Sequence, residues 1–139
     1  LKSPRTLNQT AIRRAWSHTA NRFGGILTYK RYKGVSYDPE EGEVKEFWEE
    51  VDTRFVQGQG RQYEIAASGG LLRADDIWVL IPREIFTQQE EESRPPMPQS
   101  GDEVEIDGQE WLASLGGEIV WELDPSRTLF KIWLRRKDE

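Results

Sequence analysis

Cysteine is absent from the 139 residues, and histidine and methionine occur once each. Without thiols there is no disulfide framework and no cysteine-ligated metal, which fits a reducing compartment. The single histidine, His18, stands among basic and small residues with no carboxylate near it in sequence. A histidine base or nucleophile needs an orienting partner, so His18 reads as an ordinary helix residue. No apolar run approaches the roughly 20 residues that carry a helix across a bilayer. The opening residues do not read as a secretory signal.

The acidic and glycine-rich motifs are equally poor in chemistry. Asp75 and Asp76 are adjacent, and neighbours on a strand point to opposite faces, so their carboxylates are not expected to converge. They read as a polar turn entering a strand. Glu40-Glu41 and Glu90-Glu91-Glu92 lack the alternating spacing of a calcium loop and read as solvated. Gly69-Gly70 and Gly116-Gly117 lack the strand-to-helix setting and the lysine of a phosphate loop. The expectation is a non-enzymatic chain with no catalytic, cofactor-binding or metal-ligating residue.

What the sequence does have is segregated charge. The net charge is −6, yet residues 1–37 hold Lys2, Arg5, Arg13, Arg14, Arg22, Lys30, Arg31 and Lys33 and none of the 25 acids. This basic end reads either as a solvated helix or as a docking surface for an acidic face on another copy or another protein. Direct nucleic-acid recognition is disfavoured, because the chain is acidic overall and carries no nucleic-acid motif.

At 139 residues the chain reads as one domain, 1–139, large enough to bury a core without staples. A basic helix is expected over residues 1–25. Thr6 and Gln9 fit a capping box, Leu7, Ala11 and Ala15 make an apolar stripe, and Gly24-Gly25 supply the stop. A strand is expected at Ile26–Tyr32, turned by Lys33-Gly34. Val44–Val56, after the turn Tyr37–Gly42, fits a helical face (Val44, Phe47, Trp48, Val51, Phe55) as well as a strand, and its β-branched and aromatic content favours the strand. Arg61–Ala67 reads as a weak strand. Ile77–Ile81, apolar at every position, reads as a strand buried on both faces. Gln88–Ser100 is acidic and proline-rich and reads as a mobile loop inside the domain. The last third alternates as antiparallel strands: Glu103–Asp107, a tight turn at Asp107-Gly108, Gln109–Leu115, Glu118–Leu123, a turn at Asp124-Pro125-Ser126, and Thr128–Leu134. Three of the six tryptophans, Trp111, Trp121 and Trp133, lie there, so much of the core is expected there too. The fold class is mainly β: a small antiparallel sandwich or barrel with an N-terminal α-helix.

The order of these features resembles that of small tailed-phage and prophage proteins of the head–tail connector. The likeness runs over Ile26–Arg136. It is carried by the turn Tyr37–Val44, the strand end Val51–Val56, the segment Leu71–Pro82, the run Pro98–Trp111 and the last strand Leu129–Arg135. The loop Gln88–Ser100 and the basic segment before Ile26 are longer here than that pattern needs. The resemblance implies a head-closure (stopper) or head–tail joining subunit, assembled in the host cytoplasm and placed in the virion neck. Such a subunit forms a homo-oligomeric ring between portal or adaptor and tail proteins, with packaged DNA passing nearby and no sequence-specific contact.

On this reading Arg13, Arg14, Trp16 and Arg22 are the expected oligomer or partner interface, with Trp16 as its anchor. Glu90, Glu91, Glu92 and Arg94 are expected in a channel loop whose acids repel phosphate. The rival reading is a soluble β-domain adaptor that takes a protein or peptide partner at a sheet edge.

Overall fold

A computed structural model describes residues 24–87 and 96–137. The expected helix over residues 1–25 lies outside the described residues, except for Gly24 and Gly25. These two begin a strand and do not end a helix.

The described residues form seven strands and two short helices: β1 (Gly24–Asp38), β2 (Glu43–Gln59), α1 (Gln62–Ala67), β3 (Ile77–Pro82), α2 (Glu84–Thr87), β4 (Glu103–Ile106), β5 (Gln109–Leu112), β6 (Trp121–Leu123) and β7 (Leu129–Arg136). The sheet runs β3-β2-β1-β4-β5-β7-β6, and β3 also pairs with β7. That last pairing, Ile77↔Leu134 through Pro82↔Leu129, closes six antiparallel strands into a barrel. Closure satisfies the ladder groups that an open sheet leaves bare. β6 sits outside the cycle, on the edge of β7 away from β3, in register Trp121↔Ile132 to Leu123↔Phe130.

The core is drawn from the whole barrel, and much of it comes from the last third, as expected. Leu27 and Tyr29 of β1, Phe55 of β2, Ile77, Val79 and Ile81 of β3, Val104 and Ile106 of β4, and Phe130, Ile132 and Leu134 of β7 point inward. Each is a period-2 set, as a strand requires. Phe86 of α2 plugs this interior, meeting Tyr29 and Phe130 edge-on at 5.0 and 5.1 Å. Trp133 is buried, while Trp111 and Trp121 pack only partly against the core. β3 alternates, with Trp78, Leu80 and Pro82 half-buried, so it is not covered on both faces as expected. The outer side of β3 is instead packed tightly over glycine. The Trp78 indole lies so close over Gly58 that a Cβ there would come within 2.1 Å of it. Lys131 sits 5.2 Å from the ring centres of both Trp78 and Trp133.

Three sequence readings need correction. Lys33-Gly34 does not turn the chain. It is a β-bulge between Tyr32 and Gly34, eased by φ +103° at Gly34, and the hairpin runs on to Asp38. Arg61–Ala67 is not a strand. Glu64 reaches back to accept the Arg61 amide at 3.0 Å, and that capping contact starts α1. The loop Gln88–Ser100 is packed at its end: Met97 lies against the core, Pro98 is fully buried, and the Gln99 amide donates to Asp102 at 3.0 Å. By contrast Asp107-Gly108 turns as read, with φ 50° and 80° at the two positions.

Two carboxylates, Asp76 buried and Asp124 half-buried, lock the connections. Asp76 is fully buried. It accepts two bonds from the Arg135 guanidinium, at 3.0 and 2.8 Å, and one from the Arg73 amide at 2.8 Å, while Arg135 also reaches the Leu71 carbonyl. This pair ties the start of β3 to the end of β7. Asp124 organises the β6–β7 turn by accepting the amides of Thr128 (2.6 Å) and Leu129 (2.7 Å) and the Ser126 hydroxyl. Burial pushes the Asp124 carboxyl up, but those hydrogen bonds outweigh it and hold the group below its ordinary 3.8.

Two outcomes are expected. Asp76→Asn leaves the Arg135 charge without its counter-ion and costs about 3–5 kcal/mol in urea denaturation; a loss under about 1 kcal/mol contradicts the lock. For Asp124 the folded value lies below the unfolded one. Its stabilisation is therefore complete above the ordinary 3.8 and disappears as pH falls through the depressed value. Asp124→Asn should lower stability at neutral pH and flatten that part of the acid limb in pH-dependent melting. An unchanged acid limb contradicts the assignment.

Candidate docking surface

The β1–β2 hairpin outgrows the barrel that it helps to form. Its ladder runs from Gly24↔Val56 to Asp38↔Glu43. β4 covers only Thr28–Lys30 of β1, and β3 covers only Val56–Gln59 of β2. Beyond Lys30 the ribbon is two strands wide among the described residues, an arm of roughly 25 Å at about 3.3 Å per residue. Two-stranded ribbons are marginal in water without further support.

The base of the arm supplies that support. Asp102 is 1% exposed and accepts three bonds, from the Tyr29 hydroxyl (2.6 Å) and from the amides of Tyr32 (3.1 Å) and Gln99 (3.0 Å). One carboxylate thus fastens β1, where it leaves the barrel, to the loop before β4. On the same inner side Glu49 meets Lys33 at 2.5 Å and the buried Arg31 at 3.7 Å. On the outer side the Tyr32 and Trp48 rings meet edge-on at 5.0 Å.

Further out, the outer face becomes apolar and open to water. Tyr37 pairs with Val44, and Val35 pairs with Glu46. Val35, Tyr37 and Val44 are 60%, 62% and 65% exposed. They share the face of Tyr32 and Trp48, so a continuous apolar stripe runs up one side of the arm. Burying such side chains is worth roughly 1.5–3 kcal/mol each, which makes the stripe a candidate contact surface.

Below the stripe the same outer wall is acidic. Glu50, Asp52, Glu103, Glu105 and Glu110 face outward from β1's neighbours, and Lys30 and Lys137 lie among them. Lys30 is 3.2 Å from Glu105 and 3.6 Å from Glu110; Lys137 is 2.5 Å from Glu103 and 3.5 Å from Glu110. Burial depresses the Lys30 ammonium, but the hydrogen bond to Glu105 and the charges of Glu105, Glu110 and Glu50 more than offset it and raise the group. Lys137 is raised by its hydrogen bond to Glu103, against burial, with Glu103 and Glu110 adding their charge. With Arg54 on the same face beside Asp52, three cations among five carboxylates leave the wall negative.

The expected site residues stand apart from this surface. Arg13, Arg14, Trp16 and Arg22 lie outside the described residues, as do Glu90, Glu91, Glu92 and Arg94 and the histidine His18. Asp75 is exposed and Asp76 is held by Arg135, so the adjacent acids serve separate roles. Among the described residues no group of three or more His, Cys, Asp or Glu is arranged to hold a metal ion. A 360 Å³ depression is lined by Gly24, Phe55, Gln57, Gly58, Gln59 and Asp107, with Asp107 its one titratable side chain. Reading Lys33-Gly34 as a turn hides the exposed stripe. The available signal was the alternation Val35, Tyr37 after that glycine, answered by Val44 across the Asp38–Glu43 turn.

The Asp102 fastening has a direct check. Asp102→Ala leaves one hydroxyl and two amides buried without this acceptor and should cost about 3 kcal/mol or more in urea denaturation. Tyr29→Phe should cost only about 1–2 kcal/mol. Equal and small losses contradict a carboxylate-centred fastening.

Similar architecture occurs in protein SF1141 from Shigella flexneri 2a, known from its solution structure, with a TM-score of 0.56 over 82% of this chain and 92% of that one. The two are 17% identical, so the likeness is one of fold. No family model matches the chain, and no curated protein matches it in sequence.

Proposed function

We propose that this chain is a non-enzymatic structural subunit of a tailed-phage neck, a head-closure or head–tail joining protein that assembles into a ring between portal or adaptor and tail. The observation that carries the reading is the arm: a closed barrel extends a two-stranded ribbon whose outer face bears Val35, Tyr37 and Val44 in the open. A closed barrel is a rigid body, and a projecting ribbon is a means of reaching a neighbour. The acidic wall beneath the arm and the basic first segment of the same chain are complementary in sign, which sets register between copies. Ring contacts are head-to-tail and use two different patches of one surface. The order of motifs shared with head–tail connector proteins adds the setting.

A second reading is supported by the edge of the same ribbon. Between Glu43 and Phe55 the outer edge of β2 has no strand partner among the described residues. An adaptor domain would use such an edge to add an extended peptide as a further strand.

Light scattering after size exclusion separates the two. The ring reading expects a mass that is a whole-number multiple of 16.2 kDa, grows with concentration, and falls when salt is raised from about 0.05 M to about 0.5 M or when Arg13→Glu and Arg14→Glu are combined. A constant monomer mass at every concentration and salt level overturns it and leaves the adaptor reading.

A further inference from the structure

We propose that the outer face of the β1–β2 arm is the seat for the basic first 23 residues of a second copy of this chain. This inference rests on the ring reading and names its contact. The seat has two adjoining parts. Its outer half is the apolar stripe of Val35, Tyr37 and Val44, continued inward by the edge-on pair Tyr32 and Trp48. Its inner half is acidic, passing through Glu50 and Asp52 to Glu105 and Glu110, and the exposed Glu46 opposite Val35 puts one acid within the outer half. Lys30 and Lys137 answer part of that charge, Arg54 stands beside Asp52, and the acids still outnumber these cations. The ligand that this surface fits is a segment in which large apolar residues alternate with cations and acids are missing.

The chain carries such a segment. Residues 1–23 hold Lys2, Arg5, Arg13, Arg14 and Arg22 with no acid, and Leu7, Ile12 and Trp16 stand among them. A tryptophan beside arginines is the composition that dominates protein contacts, with the ring supplying area and the guanidinium groups meeting carboxylates. The surface and the segment match in both sign and apolar content.

Topology favours a second copy over the chain's own segment. The first 23 residues join the barrel at Gly24, the end of β1 away from the stripe. From Gly24 to Val35 is roughly 36 Å at about 3.3 Å per residue. A chain's own segment has to double back along the whole arm to reach its outer half. A neighbour's segment meets it directly, and the same contact repeated from copy to copy is the head-to-tail relation that closes a ring.

The test uses the full chain with a photo-crosslinking residue, p-benzoylphenylalanine, placed at Trp16, prepared as an equal mixture of nitrogen-14 and nitrogen-15 protein. Illumination followed by peptide mass spectrometry should join residue 16 to residues 32–48 in mixed-isotope pairs. Combining Val35→Ser, Tyr37→Ser and Val44→Ser, all exposed and so expected to leave the melting temperature in place, should remove those crosslinks and weaken self-association about tenfold or more. Crosslinks to the arm that stay within one isotope overturn the inference by giving the seat to the chain's own segment. Crosslinks to another surface, with association unaffected by the triple variant, overturn the seat and leave the ring reading standing. A wild-type chain that stays monomeric at every concentration, with no mixed-isotope product, overturns both.

Discussion

The pairing of β3 with β7 is the constraint on which the structure depends. Six residue pairs, Ile77↔Leu134 to Pro82↔Leu129, join strands that begin more than fifty positions apart in sequence and turn a sheet into a barrel. Without them the sheet has two bare edges, and the inward faces of β1, β3, β4 and β7 have no enclosed interior to fill. The Asp76–Arg135 pair stands at one end of this seam and joins the same two segments by charge. Phe86, on the short helix directly after β3, closes the interior against Tyr29 and Phe130. Seam, ion pair and plug are thus one cooperative unit.

Once the barrel is closed, the length of the first hairpin becomes a surplus. β1 has 15 residues and β2 has 17, while β3, β4 and β5 have six, four and four. Short partners leave the long strands to continue alone. Asp102 marks where support ends, since it bonds Tyr29 and Tyr32 on the last stretch of β1 that lies near β4. From there the inner side of the arm is charged, through Arg31, Lys33 and Glu49, and the outer side is apolar. A stripe of exposed valine and tyrosine on this arm is the feature that packing within the single chain leaves unburied.

Much of the architecture was legible in the sequence for local reasons. Asp107-Gly108 forces a tight turn, and the alternation in Glu103–Ile106 and Leu129–Leu134 sets which face is inside. Other elements were hidden because the deciding interaction is not local. Lys33-Gly34 has the composition of a turn, and only pairing with β2 makes it a bulge. Arg61–Ala67 has weak strand character, and the Glu64 side chain tips it into a helix. Pro96–Ser100 looks like the rest of a proline-rich loop, but Met97 packs against the core, Pro98 is buried and Asp102 fixes Gln99. The candidate surface was half legible: the basic segment stands out in composition, whereas the apolar stripe opposite in character to it depends on cross-strand register that only the folded hairpin displays.

The central claim is that a fully closed barrel carries an arm whose outer face is open in the single chain and covered when copies meet. Hydrogen exchange followed residue by residue, on dilute and on concentrated protein, measures both halves at once. The account predicts slow exchange in Ile77–Pro82 and Leu129–Leu134 at either concentration, with Arg31–Asp38 and Glu43–Val51 slowing only in the concentrated sample. Rapid exchange along the β3–β7 seam, or an arm whose exchange is the same at both concentrations, contradicts it.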